Sequence, residues 1–286
     1  MLAMLVVFVG AAAFGHPDIG AVLVLLLSSG YGLVLAFEFI AMVWVHGEDP
    51  TPRADLLTVL SAWCIECVTT LWVFCWLQPF REWAQPDTPG HEGRRGIVFV
   101  HGYLCNRAVW NPWLAHCSRL GIPATAINLE PVFSELSSYV AQVERAVARM
   151  ERETGLAPVL ICHSMGGLVA RAWLASIPAA EHRVHQVVTI GTPHRGTWLA
   201  RLGRSVNANH MRPGNGWLDA LASAEPLERA KLFTCFYGHA DNIVFPPLCA
   251  TLPGADNRHL PATPHVAMAY HPGVMTEVLR HLRAAA

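Results

Sequence analysis

The distribution of apolar residues divides the chain near residue 83. Before that point three apolar segments follow one another. The first, residues 1–14, is short for a membrane span and lacks the positive residues of a secretory signal. The second and third, residues 20–45 and 56–80, are each long enough to cross a bilayer. We therefore predict a transmembrane helical region over residues 1–83, with two or three spans.

Two carboxylates interrupt the predicted spans, at Glu38 and Glu66. A charge inside a bilayer is costly unless it is paired or faces other helices. One interpretation is a proton or ion path, and the other is a contact within the helix bundle or a protonated carboxyl. Because the segment has few spans and no cationic partner inside them, the pattern favours the second interpretation.

The orientation of the spans depends on few residues. Arg81, Arg94 and Arg95 follow the third segment, whereas the preceding loop at residues 46–55 is acidic. Arginines are enriched on the cytoplasmic side of membrane spans. The distribution favours a cytoplasmic carboxyl-terminal domain, but three arginines leave the side of the membrane open.

Beyond residue 83 the pattern changes to short apolar runs that alternate with amphipathic segments. A Pro/Gly/Asp-rich stretch predicts a linker at residues 84–95. The longest amphipathic segment, residues 134–153, reads as a helix. Its apolar face consists of Tyr139, Val143, Ala146, Val147 and Met150. Predicted strands lie at residues 96–100, 124–129, 159–162, 184–190 and 232–237. This alternation is typical of a parallel sheet, so we predict an α/β domain over residues 96–286.

The strand at residues 159–162 runs into a serine that begins a helix. Ser164 thus sits on a tight strand-to-helix turn, which leaves room only for small neighbours such as Gly166. The sequence fits the nucleophile elbow GxSxG except that Cys162 replaces the first glycine. Cysteine is small enough for that position. The alternative is a serine that merely caps a helix.

An activated serine needs a histidine base and a carboxylate that orients the histidine. Asp241 follows the strand at 232–237 closely, and His265 lies in a loop beyond it. The order Ser164, Asp241, His265 is the one expected for this type of fold. His259 and His271 are rival bases and Asp256 is a rival acid. We favour Asp241 because it follows directly on a strand end.

Two backbone amides are candidates for an oxyanion hole. The strand at residues 96–100 ends in His101-Gly102-Tyr103, where the loop turns away at the glycine. This geometry aims the N–H of Tyr103 at the nucleophile, and the N–H of Met165 is the second donor. An ordinary strand-to-helix turn is the alternative interpretation.

Composition narrows the class of protein further. The net charge is about zero and Lys231 is the only lysine, so the sequence offers no basic surface for nucleic acid. Cys64 and Cys67 form a CxxC pattern, but it lies in an apolar segment without a second pair of metal ligands. Cys235 and Cys249 flank a loop, and the sequence leaves open whether they form a disulfide or remain free thiols.

Five motifs in order, HGY, CHSMGG, GTPHRGT, DNIV and HVAM, resemble the bacterial lipase and esterase branch of the α/β-hydrolases. The resemblance covers residues 96 to 286, and the apolar amino-terminal part looks like the membrane-anchored members. It implies Ser164 as nucleophile, Asp241 as acid, His265 as base, and Tyr103 and Met165 as oxyanion donors.

In such lipases the segment after GTPH often forms a lid, which here corresponds to residues 197–221. Its apolar candidates for substrate contact are Trp198, Leu202, Met211 and Trp217. Secreted calcium-binding relatives carry an aspartate two positions after the histidine, where this chain has Ala267. We therefore expect no calcium site, and no metal or cofactor.

The sequence thus predicts a membrane-anchored serine hydrolase, in the bacterial inner membrane, that cleaves carboxylic esters of lipophilic substrates. An acyltransferase or thioesterase with the same triad is one alternative. A catalytically silent binding module is another, although the presence of all three triad residues argues against it. Acyl-chain preference and oligomeric state are not readable from the sequence.

Overall fold

The computed structural model describes residue 15 and residues 17–283. The predicted first apolar segment, residues 1–14, lies outside the described residues. The described chain forms a helical hairpin, residues 17–80, followed by an α/β domain that begins at the first strand, Ile97–Val100.

The α/β domain is built on a parallel sheet of six strands within the described residues. The strands are β1 Ile97–Val100, β2 Ala124–Ile127, β3 Val159–His163, β4 Gln186–Ile190, β5 Phe233–Tyr237 and β6 Asp256–His259. Their order across the sheet is β2-β1-β3-β4-β5-β6, and every neighbouring pair is parallel. The parallel sheet of the prediction is therefore confirmed, and β6 is an additional edge strand.

Helices connect the strands and cover the sheet. They are α3 Asn111–Leu120, α4 Val140–Thr154, α5 Met165–Ser176, α6 Val206–His210, α7 Gly216–Ala224, α8 His265–Met268 and α9 Pro272–Arg283. The predicted apolar face of residues 134–153 is buried on α4 and the 3-10 turn before it. One apolar cluster joins α4 and α5 to one face of the sheet, and a second joins α3 and α9 to the other. The domain is thus a three-layer structure with its core on both faces of the sheet.

The hairpin consists of α1 Pro17–Val45 and α2 Leu56–Trp72, which continues through the π-helical turn Val73–Leu77 to Phe80. Among the described residues, one helix is long and apolar enough to cross a membrane, Leu56–Phe80, with a mean hydropathy of 1.7. Residues Gly30–Val45 of α1 are also apolar. A buried core helix would pass the same test, so the finding gives weak support for membrane association.

The hairpin packs on the domain through one of its faces. Phe39, Met42 and Ala62 form an apolar cluster with Ala240 and Phe245, which lie on the loop after β5. Within the hairpin, the indole N–H of Trp63 donates to the Gly32 carbonyl at 3.0 Å. The hairpin is therefore joined to the domain next to the carboxyl ends of the strands.

Candidate active site

Ser164 occupies a strained turn between β3 and α5. Its backbone has φ 54° and ψ −126°. Residues other than glycine rarely adopt this backbone conformation, which recurs at functional sites. A Cβ on Gly166 would lie 2.6 Å from the Val100 carbonyl oxygen, so only glycine fits there. Cys162 is fully buried in β3, and its small side chain fits the position at which glycine was expected. The strand, turn and helix predicted around Ser164 are all present.

Asp241 and His265 form a buried pair beside Ser164. His265 Nδ1 lies 2.9 and 3.0 Å from the two carboxylate oxygens of Asp241. The N–H groups of Ile243 and Val244 donate to Asp241 Oδ1 and hold the carboxylate in place. This pairing puts the proton on Nδ1 and leaves Nε2 of His265 as a free base.

Ser164 and His265 line the same cavity. Among the described residues no hydrogen bond joins the Ser164 hydroxyl to His265. Such contacts are often long in substrate-free enzymes and tighten when a substrate binds.

The Asp241 carboxylate controls the basicity of His265. Burial alone lowers the pKa of the imidazole, but the charge of Asp241 and its hydrogen bond outweigh burial, so the pKa lies above its ordinary value. The charges of Glu66 and Glu38 act in the same direction. The carboxylate therefore makes His265 a stronger base than burial alone would allow.

A second histidine, His163, is hydrogen-bonded to the main chain of His265. The His163 Nε2–H donates to the main-chain oxygen of His265 at 3.1 Å, and the two rings lie 4.7 Å apart. Burial, followed by the proximity of His265, lowers the pKa of His163 to about 3. His163 therefore stays neutral and acts as a fixed hydrogen-bond donor. Its position directly before Ser164 was visible in the sequence, but its partner was not.

The loop after β1 approaches Ser164 closely. A Cβ on Gly102 would lie 2.8 Å from the Ser164 Cβ, so the loop can pass there only as glycine. His101 Nδ1 lies 2.8 Å from the Gly102 carbonyl oxygen, and His101 Nε2 accepts the Leu129 N–H. Burial lowers the pKa of His101 to about 4, which keeps it neutral. The carbonyl of the Gly102–Tyr103 peptide points toward His101. In a trans peptide the N–H points opposite to the carbonyl, so the N–H of Tyr103 points away from His101.

Two apolar cavities meet at Ser164 and Tyr103. The first has a volume of about 300 Å³ and runs between the hairpin and the site, where Tyr31, Leu35 and Phe74 form part of its wall. The second, of about 340 Å³, lies beneath the predicted lid segment. An apolar molecule with a central polar group could fill both cavities with that group beside Ser164.

The four lid candidates divide into two pairs. Leu202 and Met211 line the second cavity beside Ser164. Trp198 and Trp217 are not among the described residues that line either cavity. Trp198 stacks on Phe245, and the Trp217 indole stacks on His210 with centroids 4.9 Å apart. Only the first pair is placed to touch a substrate in this conformation.

The rival acid and bases lie elsewhere. Asp256 is exposed on β6 and pairs with Arg258 at 2.8 Å, while His259 contacts His239 at 2.9 Å. His271 Nδ1 accepts the Gly273 N–H at the start of α9. Cys235 and Cys249, whose pairing the sequence left open, are both free thiols.

Several residues at the site were not singled out as functional by the sequence analysis. The Asn242 side chain lies against the main chain of His265, and Glu38 and Glu66 reach the site from the hairpin. The signal for the two glutamates was their presence in apolar helices, which implies a partner that the sequence does not identify.

Comparison with known protein families gives one match. The family described as PGAP1-like alpha/beta domain matches residues 134–238, a stretch that includes Ser164 but neither Asp241 nor His265. No curated protein matches the sequence significantly.

Solved structures share the fold at low identity. Bacillus licheniformis lipase BlEst2 in its mature form is 20% identical with a TM-score of 0.58, over 66% of this chain and 92% of that chain. Aspergillus fumigatus lipase B is 17% identical with a TM-score of 0.57, over 64% of this chain and 51% of that chain. These similarities show that the domain shares the fold of these two lipases.

Proposed function

We propose that this chain is a membrane-anchored serine hydrolase that cleaves carboxylic esters of lipophilic substrates. The observation that carries the proposal is the buried Asp241–His265 pair, which shares an apolar cavity with a serine on a strained strand-to-helix turn. The proteins whose fold it shares are lipases by name, which supports the same chemistry here.

In the proposed reaction His265 Nε2 takes the proton of the Ser164 hydroxyl while the oxygen attacks the ester carbonyl. The N–H groups of Tyr103 and Met165 stabilise the negative oxygen of the tetrahedral intermediate. The intermediate collapses to an acyl-serine, and His265 returns the proton to the departing alcohol. Water then attacks the acyl group by the same route and releases the acid.

The lipophilic character of the substrate is inferred from the two apolar cavities and from the hairpin. Part of the first cavity wall comes from α1 and α2, whose outer faces carry exposed apolar residues such as Leu33, Ile40 and Val68. A lipid chain leaving a bilayer alongside these helices would meet the cavity without crossing water. We propose the bacterial inner membrane as the location, on the motif resemblance described above.

The test is labelling of detergent-extracted protein with a fluorophosphonate, together with hydrolysis of p-nitrophenyl esters of increasing chain length. Wild type is expected to be labelled and active, and Ser164→Ala and His265→Ala to lose both properties. His259→Ala is the matched control and should behave as wild type. Absence of labelling in folded wild type would refute the hydrolase mechanism and favour a binding module. Labelling with acyl transfer to an added alcohol or thiol in place of hydrolysis would favour the transferase.

A further inference from the structure

Two carboxylates of the hairpin helices, those of Glu66 and Glu38, lie close to His265. Glu66 is fully buried, and its carboxylate accepts hydrogen bonds from the N–H groups of Val266 at 2.8 Å and Ala267 at 3.3 Å. These are the two amides that directly follow His265. A carboxylate on α2 therefore holds the turn that carries the base.

Glu38, on α1, reaches the same histidine through one intermediate side chain. Its Oε2 accepts a hydrogen bond from the Asn242 Nδ2 at 2.7 Å. The other end of the same amide, Asn242 Oδ1, accepts the main-chain N–H of His265 at 3.3 Å. Since Asn242 follows Asp241 directly, Glu38 orients a side chain that adjoins both the acid and the base.

The main chain around His265 needs such support because it belongs to α8, a helix of only four residues at the end of a loop. Without other contacts a segment of this length has little rigidity. His163 holds the carbonyl of His265, Asn242 holds its N–H, and Glu66 holds the next two amides. A displacement of the base by about 1 Å can lower a catalytic rate by roughly 100-fold, so these contacts bear directly on activity.

We propose that Glu66 and Glu38 are positioning residues for the catalytic triad, so that the amino-terminal hairpin is a working part of the active site in addition to a membrane anchor. The proposal rests on the ester hydrolysis proposed above. It assigns the two glutamates a role that differs from an ion path and from a contact confined to the helix bundle.

The titratable groups that face His265 come from four elements. Asp241 lies on the loop after β5, Glu66 on α2 and Glu38 on α1, and the neutral His163 faces it from β3. Removal of a negative charge from this group should make His265 a weaker base. If Glu66 positions His265, its replacement by a neutral residue should therefore have two effects. It should lower kcat, and it should move the acid limb of the pH profile to lower pH.

The experiment uses the full chain in detergent, p-nitrophenyl butyrate as substrate and Glu66→Gln as the main variant. Glutamine keeps the size of the side chain, but its NH₂ group is a donor. It would face one of the two backbone N–H groups that donate to the carboxylate, and that hydrogen bond would be lost. We expect kcat to fall by about 100-fold, KM to change by less than threefold, and the acid limb to move to lower pH.

Asp49→Asn is the matched control. Asp49 also joins the hairpin to the domain, but its Oδ2 accepts the Leu248 N–H at 2.9 Å. Within the described part of the chain it has no hydrogen bond or ion pair with His265 or the residues next to it. We expect this variant to keep kcat within twofold and to keep the wild-type pH profile. If Glu66→Gln and Asp49→Asn have the same kcat and pH profile, Glu66 only docks the hairpin and the proposal is overturned.

A second pair of variants tests the role of Glu38 and is independent of whether Glu66→Gln folds. Glu38→Gln keeps an oxygen that can accept the Asn242 amide, whereas Glu38→Leu does not. We expect kcat within threefold of wild type for the first and a loss of about tenfold for the second. Equal values for the two would overturn the proposal for Glu38. Wild type without Ser164-dependent activity would instead refute the proposed hydrolase, whereas an active wild type with unaffected glutamate variants refutes the positioning role alone.

Discussion

The hairpin and the α/β domain arrange polar and apolar groups in opposite ways. In the domain apolar side chains fill both faces of the sheet, and ion pairs such as Arg183 with Glu144 and Glu151 lie near the surface. On the hairpin the outer faces are apolar, with Leu57 exposed by 78% and Trp44 by 77%. Its carboxylates at positions 38 and 66 instead face the domain and accept hydrogen bonds from it.

This difference gives separate roles to three regions: the interior of the domain, the inner face of the hairpin and the outer face of the hairpin. The interior of the domain determines stability, since it fixes the sheet from which the site loops emerge. The inner face of the hairpin contacts the loops that carry Asp241 and His265. Its outer face is apolar and would be compatible with lipid. Substitutions in the three regions should therefore change different measured quantities.

The largest effect is expected from the acid of the triad. Asp241→Asn keeps the shape of the side chain but no longer holds His265 in the tautomer that leaves Nε2 free. We expect kcat toward a soluble ester to fall by roughly 10⁴-fold. Asp256→Asn, on the exposed edge strand, is the control and should stay within twofold of wild type. A comparable loss in that control would contradict the choice of acid.

A large loss of stability is expected from the domain interior. Phe99 on β1 is fully buried and stacks on Trp110 with centroids 4.9 Å apart. Phe99→Ala should lower the free energy of unfolding by about 3–5 kcal/mol, measured by urea denaturation in mild detergent. Leu57→Ala, on the outer face of the hairpin, should change it by about 0.5 kcal/mol or less. Similar losses at both positions would show that Leu57 packs against protein.

A change in membrane partition is expected from the outer face of α2. Val68 is 71% exposed near the middle of Leu56–Phe80. Arginine at the centre of a span is unfavourable by about 2.5–3.5 kcal/mol, so Val68→Arg should reduce the fraction of protein recovered with membranes. Leu227→Arg, at an exposed apolar residue of the domain, serves as the control. Equal recovery of the two variants would count against a bilayer on this face.

The pH dependence should report the raised pKa of His265. The base works only when neutral, so kcat/KM should rise with pH as His265 loses its proton. Because the pKa lies above its ordinary value, the midpoint of this acid limb is expected above about 6.5. The measurement is kcat/KM from pH 5 to 9 with a soluble ester. A midpoint at or below the ordinary value would mean that burial outweighs Asp241.

The smallest effect is expected from reductant. Cys235 is buried 3.6 Å from His194 Nε2, and both it and Cys249 are free. Dithiothreitol should therefore leave the midpoint of thermal unfolding unchanged, as should Cys249→Ser. A drop of several degrees that disappears in Cys249→Ser would reveal a disulfide at this loop.

Much of the fold and of the candidate site could be predicted from local sequence patterns. The turn at Ser164 could be predicted because its strand, its small neighbours and its helix lie within a few residues of one another. The edge strand β6 escaped prediction since Asp256, Asn257, Arg258 and His259 have no apolar alternation, and its geometry depends on pairing with β5. The short helix α8 was predicted as a loop because four residues give no helical period.

The partners of the hairpin could not be predicted for a different reason. The sequence shows that carboxylates at positions 38 and 66 need partners, but the donors lie about 200 residues away. Hydropathy likewise identifies apolar segments without distinguishing the face that meets lipid from the face that meets protein. Phe39 and Met42 are buried against the domain, whereas Ile40, between them in the sequence, is exposed.

The long separation between Glu66 and its donors has a consequence for biosynthesis. The hairpin leaves the ribosome first, and the amides that its carboxylate requires follow 200 residues later. At about 5–20 residues per second, this interval lasts roughly 10–40 s. During that time the hairpin carries unsatisfied carboxylates and the site has no base. Under the proposed function, a nascent chain would meet the membrane before its active site is complete, and ester hydrolysis would begin only when the hairpin and His265 come together.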